Sequence, residues 1–229
     1  MKSKEFLQKL KTLGTKKNLE GMKRFGINTE NAYGVDIYTL RKFIKGMKKD
    51  HTLALDLWDS GVHEARIAAS MVDDPEKITS KQMEEWVKDF DSWDVCDLVC
   101  SNIIDKTKFA YKKAFQWSKR KEEYVKRAGF VLMAALSVHD KEAEDADFIQ
   151  FFPVIIREST DGRNFVKKAV NWALRQIGKR NAVLNKKAIQ TAKLLSAQDS
   201  KAARWIAKDA LRELTGEKVQ KRLKTIAKR

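Results

Sequence analysis

An all-α fold is expected for this chain, on three observations. Only two prolines and ten glycines punctuate its 229 residues, too few for the tight turns of a β architecture. Apolar residues recur at helical spacing along nearly the whole length. Helix pairs recur about every 35–45 residues, the spacing of two-helix HEAT-like repeats. Short consecutive helices with no long crossing segment favour a HEAT-like repeat α-solenoid (an α-α superhelix) with a basic concave face. An irregular all-α bundle would give the same periodicity. No composition shift marks a boundary, so 1–229 is read as a single domain, with a helical cap over about 1–26 and a basic tail over about 217–229.

The elements follow in order. A helix over 3–13 opens at Ser3 and stops at Gly14; a second over 15–25 stops at Gly26. Helices over 36–49 and 51–60 follow, the latter closed by Gly61, and then one over 62–72. The loop Asp73-Asp74-Pro75-Glu76 leads to a helix over 79–90 capped by Ser80. Ser92 caps 92–104, and 106–118 precedes a long apolar helix over 121–138. In 145–159 Pro153 kinks the helix or marks a first turn. Helices over 163–180, 183–196 and 199–214 (capped by Ser200) lead past Gly216 to 217–227.

The formal charge of +16 and pI near 9.7 point to a polyanionic partner rather than to a fold. Cys96 and Cys100 lie four apart in a helical pattern, which indicates neither a disulfide framework nor a metal site. His51, His63 and His139 show no ligand spacing. The chain begins MKSKEFLQKL, with no apolar targeting core, and no run reaches transmembrane length. A cytoplasmic protein with no membrane partner, no metal and no cofactor is expected.

Three segments carry candidate chemistry. Residues 163–180 contain no acidic residue. Val166, Val170, Ala173, Leu174 and Ile177 form an apolar stripe, and Lys168, Trp172, Arg175 and Lys179 stack on the opposite face. A cationic ridge around one indole suits nucleic acid. In Ser92–Cys100, Val95, Leu98 and Val99 share one face while Trp93, Asp97 and Cys100 share the other. An indole beside a carboxylate is either a restrained anion or ordinary core, with Asp94 favouring the helix start. In Tyr124–Leu136, Arg127 closes the polar part of an apolar helix and needs a partner. A phosphate or Asp97 would serve, and so would a surface position. The basic tail reads as a capping helix, an arm on phosphates or a solvated terminus.

The order Trp93-x-x-x-Asp97, then Lys126-Arg127-Ala128-Gly129-Phe130, then Phe165-Val166-Lys167-Lys168-Ala169-Val170-Asn171-Trp172-Ala173-Leu174-Arg175 resembles the AlkD-type DNA alkylation repair family of HEAT-like repeat DNA glycosylases. Gly21-Met22-Lys23-Arg24-Phe25-Gly26-Ile27, Tyr33-Gly34-Val35 and Leu40-Arg41 are similar to the family's opening. Trp58 and His63-Glu64-Ala65-Arg66 are similar to its second repeat. The likeness covers about 18–215.

The resemblance implies a monofunctional glycosylase that removes cationic N-alkylated purines, such as 3-methyladenine and 7-methylguanine, from double-stranded DNA. It acts as a monomer and without a tight base pocket. It implies that Trp93 and Trp172 pack against the lesion's deoxyribose, that Asp97 is the catalytic carboxylate, and that Arg127 holds the backbone nearby. Arg163, Lys126 and Arg41 join Lys168, Arg175 and Lys179 as expected DNA contacts. The indoles and Asp97 are expected together at the bottom of a positive trough. Phe25, Tyr33 and Tyr38 are all candidates for the family's N-terminal DNA-contacting aromatic. The alternative is a non-catalytic HEAT-repeat protein that binds damaged, bent or branched DNA; a scaffold for an acidic protein partner is the third reading.

Overall fold

The computed structural model describes residues 1–226, and all of their regular structure is helical. The chain divides into two compact units, Met1–Lys108 and Phe109–Arg229. The first holds α1 (Ser3–Thr12), α2 (Lys16–Arg24), α3 (Ile37–Ile44), α4 (His51–Asp59), α5 (His63–Val72), α6 (Ser80–Lys88) and α7 (Trp93–Asn102), followed by a short 3-10 turn at Ile104–Lys106. The second holds α8 (Ala110–Trp117), α9 (Glu123–His139), α10 (Asp145–Ile149), α11 (Phe152–Glu158), α12 (Asn164–Gly178), α13 (Ala182–Ser196), α14 (Lys201–Leu214) and α15 (Glu217–Ile226). Lys228 and Arg229 of the expected tail lie outside the described residues.

Each unit packs helix on helix through the apolar stripes. In the first, α4 and α7 pack on α5, and the buried indoles of Trp58 and Trp86 stack 4.1 Å apart and 3° from parallel. In the second, α9 packs on α8 and α12. The stripe Val166, Val170, Ala173, Leu174 and Ile177 is completely buried, as its spacing predicts. Close approach of α9 to α8 depends on Gly129, where a Cβ would stand 2.4 Å from the Ser118 nitrogen.

Several polar cross-links fall at recurring sequence offsets. In the first unit Trp58–Asp89, His63–Asp94 and Tyr33–Glu64 are each 31 residues apart, and Asn102–Ser70 are 32 apart. In the second, Lys126–Glu158 are 32 apart, Arg127–Phe165, Asn171–Asp209 and Arg175–Glu213 are 38 apart, and Ser159–Gln198 are 39 apart. Equivalent positions of successive helix pairs therefore meet, which is what repeat stacking requires. The offset is shorter than expected in the first unit, whose helices have only 8 to 10 residues.

Several local expectations need correction. Lys2, not Ser3, precedes α1, and the Ser3 hydroxyl donates instead to Asp56. Thr79, not Ser80, caps α6 through Gln82 N–H. Ser200 caps α14 as expected, but Ser92 spends its hydroxyl on Asn28 N–H. Gly26 and Gly61 adopt positive φ beyond α2 and α4, whereas Gly14 and Gly216 do not. Residues 145–159 form two helices, because Pro153 sits in the first turn of α11, where its missing N–H costs nothing.

Candidate functional site

In the first unit the site is built on α7. Val95, Cys96, Val99 and Cys100 face the core, leaving Trp93, Asp94, Asp97 and Leu98 half-buried on the opposite side. This turns the helix from the expected orientation. Cys100 lies inside and Leu98 outside, since a buried thiol packs as a small hydrophobe. Neither thiol is in a disulfide, and burial pushes Cys100 well above its ordinary pKa.

Four cross-links fix the start of α7. Trp93 Nε1 donates to the Phe25 carbonyl at 3.0 Å, Asn28 N–H donates to Ser92 Oγ at 2.9 Å, and Asn28 Nδ2 donates to Asp91 at 2.8 Å. His63 Nε2 meets Asp94 Oδ2 at 2.9 Å. Burial works against a proton on His63, but the hydrogen bond and charge of Asp94 outweigh it, so its pKa is raised. The other Asp94 oxygen is buried with no hydrogen-bond partner.

Beside this face lies a cleft of about 390 Å³. Met22, Val35, Leu40 and Ile67 give it apolar walls, and Trp93 closes one side. Asp36, Asp94 and Asp97 line it against one arginine, Arg41, and His63. A chain of charge +16 thus carries a locally carboxylate-rich cleft. Asp36 also caps α3 through Tyr38 and Thr39 N–H, and its hydrogen bonds from Thr39 hold its pKa below the ordinary value. The loop at the cleft edge is pinned by the buried Glu64 carboxylate, which accepts the N–H groups of Tyr33, Gly34 and Val35 at 2.9, 2.6 and 3.0 Å. Gly34, at φ 80°, has no room for a Cβ, which would stand 2.4 Å from the Thr15 carbonyl oxygen. Of the N-terminal aromatics, Phe25 and Tyr38 are exposed and Tyr33 is half-buried.

The second unit holds the remaining sequence-predicted residues. On α12, Lys168 is exposed and Trp172 half-buried, one turn apart. Arg175 and Lys179 continue that face but are engaged by α14: Lys179 Nζ lies 2.6 Å from Glu213, while Arg175 pairs with Glu213 and lies 3.6 Å from Asp209. The acid missing from 163–180 is thus supplied by a neighbouring helix. Arg127 is buried and donates to the Phe165 carbonyl at 2.6 Å, anchoring the first turn of α12. Lys126 lies between Glu158 and Asp161, at 2.7 and 3.2 Å, with only 12% of its side chain exposed. Arg163 pairs with Asp161 and donates to the Lys121 carbonyl. The Arg163 hydrogen bond, opposed by burial, leaves the Asp161 pKa at about 2. Lys168 and Arg41 keep their charges exposed.

Sequence reasoning did not single out His63, Asp94, Glu64 or Asp36 as site residues. The signal that finds the first three is the 31-residue offset of their cross-links, visible once the repeat length is known.

A family model described as DNA alkylation repair enzyme matches residues 6–214. The chain belongs to that family. Among solved structures, this DNA alkylation repair family member is similar to one from a new family of proteins related to the HEAT-like repeat DNA glycosylases, with affinity for branched DNA structures. The two share 21% identity over 93% of this chain and 96% of that chain, with a TM-score of 0.78. The fold is therefore all-α of the HEAT-like repeat class, as the helix-pair spacing predicts. No curated protein matches the chain significantly. Among the described residues no helix is long and apolar enough to cross a membrane.

Proposed function

We propose that the chain is a monofunctional DNA glycosylase that hydrolyses the N-glycosidic bond of cationic N-alkylated purines, of the 3-methyladenine or 7-methylguanine type, in duplex DNA. It acts as a cytoplasmic monomer. The observation that carries this reading is the half-exposed face of α7, where Trp93 and Asp97 stand one turn apart beside a carboxylate-lined cleft. Membership of the DNA alkylation repair enzyme family supports it.

The chemistry follows from where charge develops. When the C1′–N bond breaks, its electron pair leaves with the base. A cationic purine departs neutral and needs no general acid. Positive charge then gathers on the sugar, as in other glycosidic cleavages. Asp97 stabilises that cation and takes a proton from the water that adds to C1′. The indole faces of Trp93 and Trp172 each contribute about 0.5–2 kcal/mol toward a cation in contact. Lys168 and Arg41 hold phosphates, which positions the strand without reading sequence. Lys126, Arg127, Arg163, Arg175 and Lys179 act mainly by shaping α12 and its surroundings.

The test is incubation with N-methyl-N-nitrosourea-treated DNA and chromatography of the released bases. Wild type releases 7-methylguanine or 3-methyladenine. Asp97→Asn loses about 10²–10⁴-fold in rate while keeping DNA affinity. Unimpaired release by that variant removes Asp97 from the chemistry. Tight binding with no release from any methylated substrate leaves the second reading, a non-catalytic binder of branched DNA. The branched-DNA affinity of the family to which the similar structure belongs favours that alternative.

A further inference from the structure

A second cleft, of about 460 Å³, lies in the second unit at the ends of α9 and α12, with Arg222 of α15 in its lining. Four of its lining residues are cations, Lys141, Lys179, Arg180 and Arg222; Gln176 and Asn181 add polar groups, and no carboxylate residue lines it. The charge is opposite in sign to that of the cleft beside α7.

The nearby acids are directed elsewhere. Asp140 accepts from Tyr111 and Ala143, Asp145 accepts from Asn181, and Glu217 pairs with Lys221. Arg180 donates to the carbonyls of Ser137, Asp140, Lys141 and Ala143 and stacks 4.5 Å over Phe148. Carbonyl dipoles satisfy its N–H groups but leave its unit charge in place. Lys179 shares Glu213 with Arg175. Lys141 and Arg222 are exposed, and Arg222 makes no ion pair among the described residues. Arg222 lies beyond residues 6–214, so the family's common pattern does not supply it. It is held in place because α15 docks through the buried Val219 and Leu223 and through Gln220, which donates to Asn185 and to the Leu214 carbonyl.

We infer that this cleft binds phosphate groups of a nucleic-acid strand, with Arg180 as a fixed charge and Lys141 and Arg222 as adaptable ones. The inference rests on the DNA-binding part of the reading above, not on catalysis. Lys168 on α12 and Lys179, the residue that follows its end, are eleven residues apart, about 17 Å along the helix axis. A duplex whose axis ran parallel to α12, at about 3.4 Å of axial rise per phosphate of one strand, would cover that distance in about five phosphates.

The experiment measures DNA affinity against salt for wild type, for Lys141→Gln/Arg222→Gln, and for a control, Lys186→Gln/Lys187→Gln, that removes equal charge from exposed positions of α13. A titration with inorganic pyrophosphate runs beside it. The cleft variant is expected to lower the slope of log affinity against log salt by about 1.8, at about 0.9 per phosphate contact, with the control nearly unchanged. An unaltered slope, or equal losses in both variants, overturns the inference. Pyrophosphate binding that the cleft variant loses, with the DNA slope intact, also overturns it and points to a small polyphosphate. Failure of wild type to bind DNA at all would instead sink the nucleic-acid reading as a whole.

Discussion

At the residue scale, His63 joins α5 to the helix that carries Trp93 and Asp97. It faces Asp94 on α7, Asp91 just before it and Glu64 on its own helix. Burial disfavours its charge, yet Asp94 leaves the folded pKa raised. A raised pKa means that the folded state binds the proton more tightly than the unfolded chain. The stabilisation is therefore complete below about pH 6.5 and is lost as pH rises through the folded value. Urea unfolding of wild type should show stability falling as pH rises above about 6.5, and His63→Gln should flatten that decline; an identical pH profile in the variant would remove the pair from the account. Asp161 has the opposite sign. Its pKa, lowered to about 2 by Arg163 against the cost of burial, confers stability that is present above about pH 4 and lost as pH falls toward 2.

At the element scale, the loop at the cleft edge depends on a distant carboxylate. Three successive N–H groups converge on Glu64, which is buried. Glu64→Ala leaves those donors without a partner and is expected to cost about 3 kcal/mol, read as a shift in the urea midpoint. Arg180 has the corresponding role in the second unit, closing the C-terminal end of α9 with four carbonyl contacts. Arg180→Ala should cost about 2–3 kcal/mol. A loss below about 0.5 kcal/mol in the same assay would show that water satisfies those carbonyls equally well.

At the scale of the whole molecule, the charge of +16 makes DNA affinity fall with salt, but not every cation contributes equally. Lys168 is exposed, and Lys168→Gln should lower the log–log slope by about 0.9. Arg175 and Lys179 are neutralised by Glu213 and Asp209. Glu213→Gln should therefore release Lys179 and steepen the slope by a similar amount, about 0.9. A slope unchanged by Glu213→Gln would mean that DNA itself already displaces this pairing. The charge surplus was legible in composition, whereas the distinction between paired and exposed cations was not, because the acids lie 34 and 38 residues away on another helix.

Apolar periodicity and the scarcity of proline and glycine located most of the helices, the apolar stripe of α12 and the all-α class, because helical patterning acts over a few residues, whereas several caps and the break within 145–159 were decided by tertiary contacts and the placement of Pro153. The order Trp93, Asp97, Arg127, Trp172 was likewise readable as a family resemblance. Tertiary structure decided which face of α7 meets solvent, that α15 docks rather than trails, and that His63, Asp94 and Glu64 hold the first cleft. Those outcomes rest on contacts between elements a full repeat apart, and local spacing along the chain carries no information about such contacts until the repeat length is known.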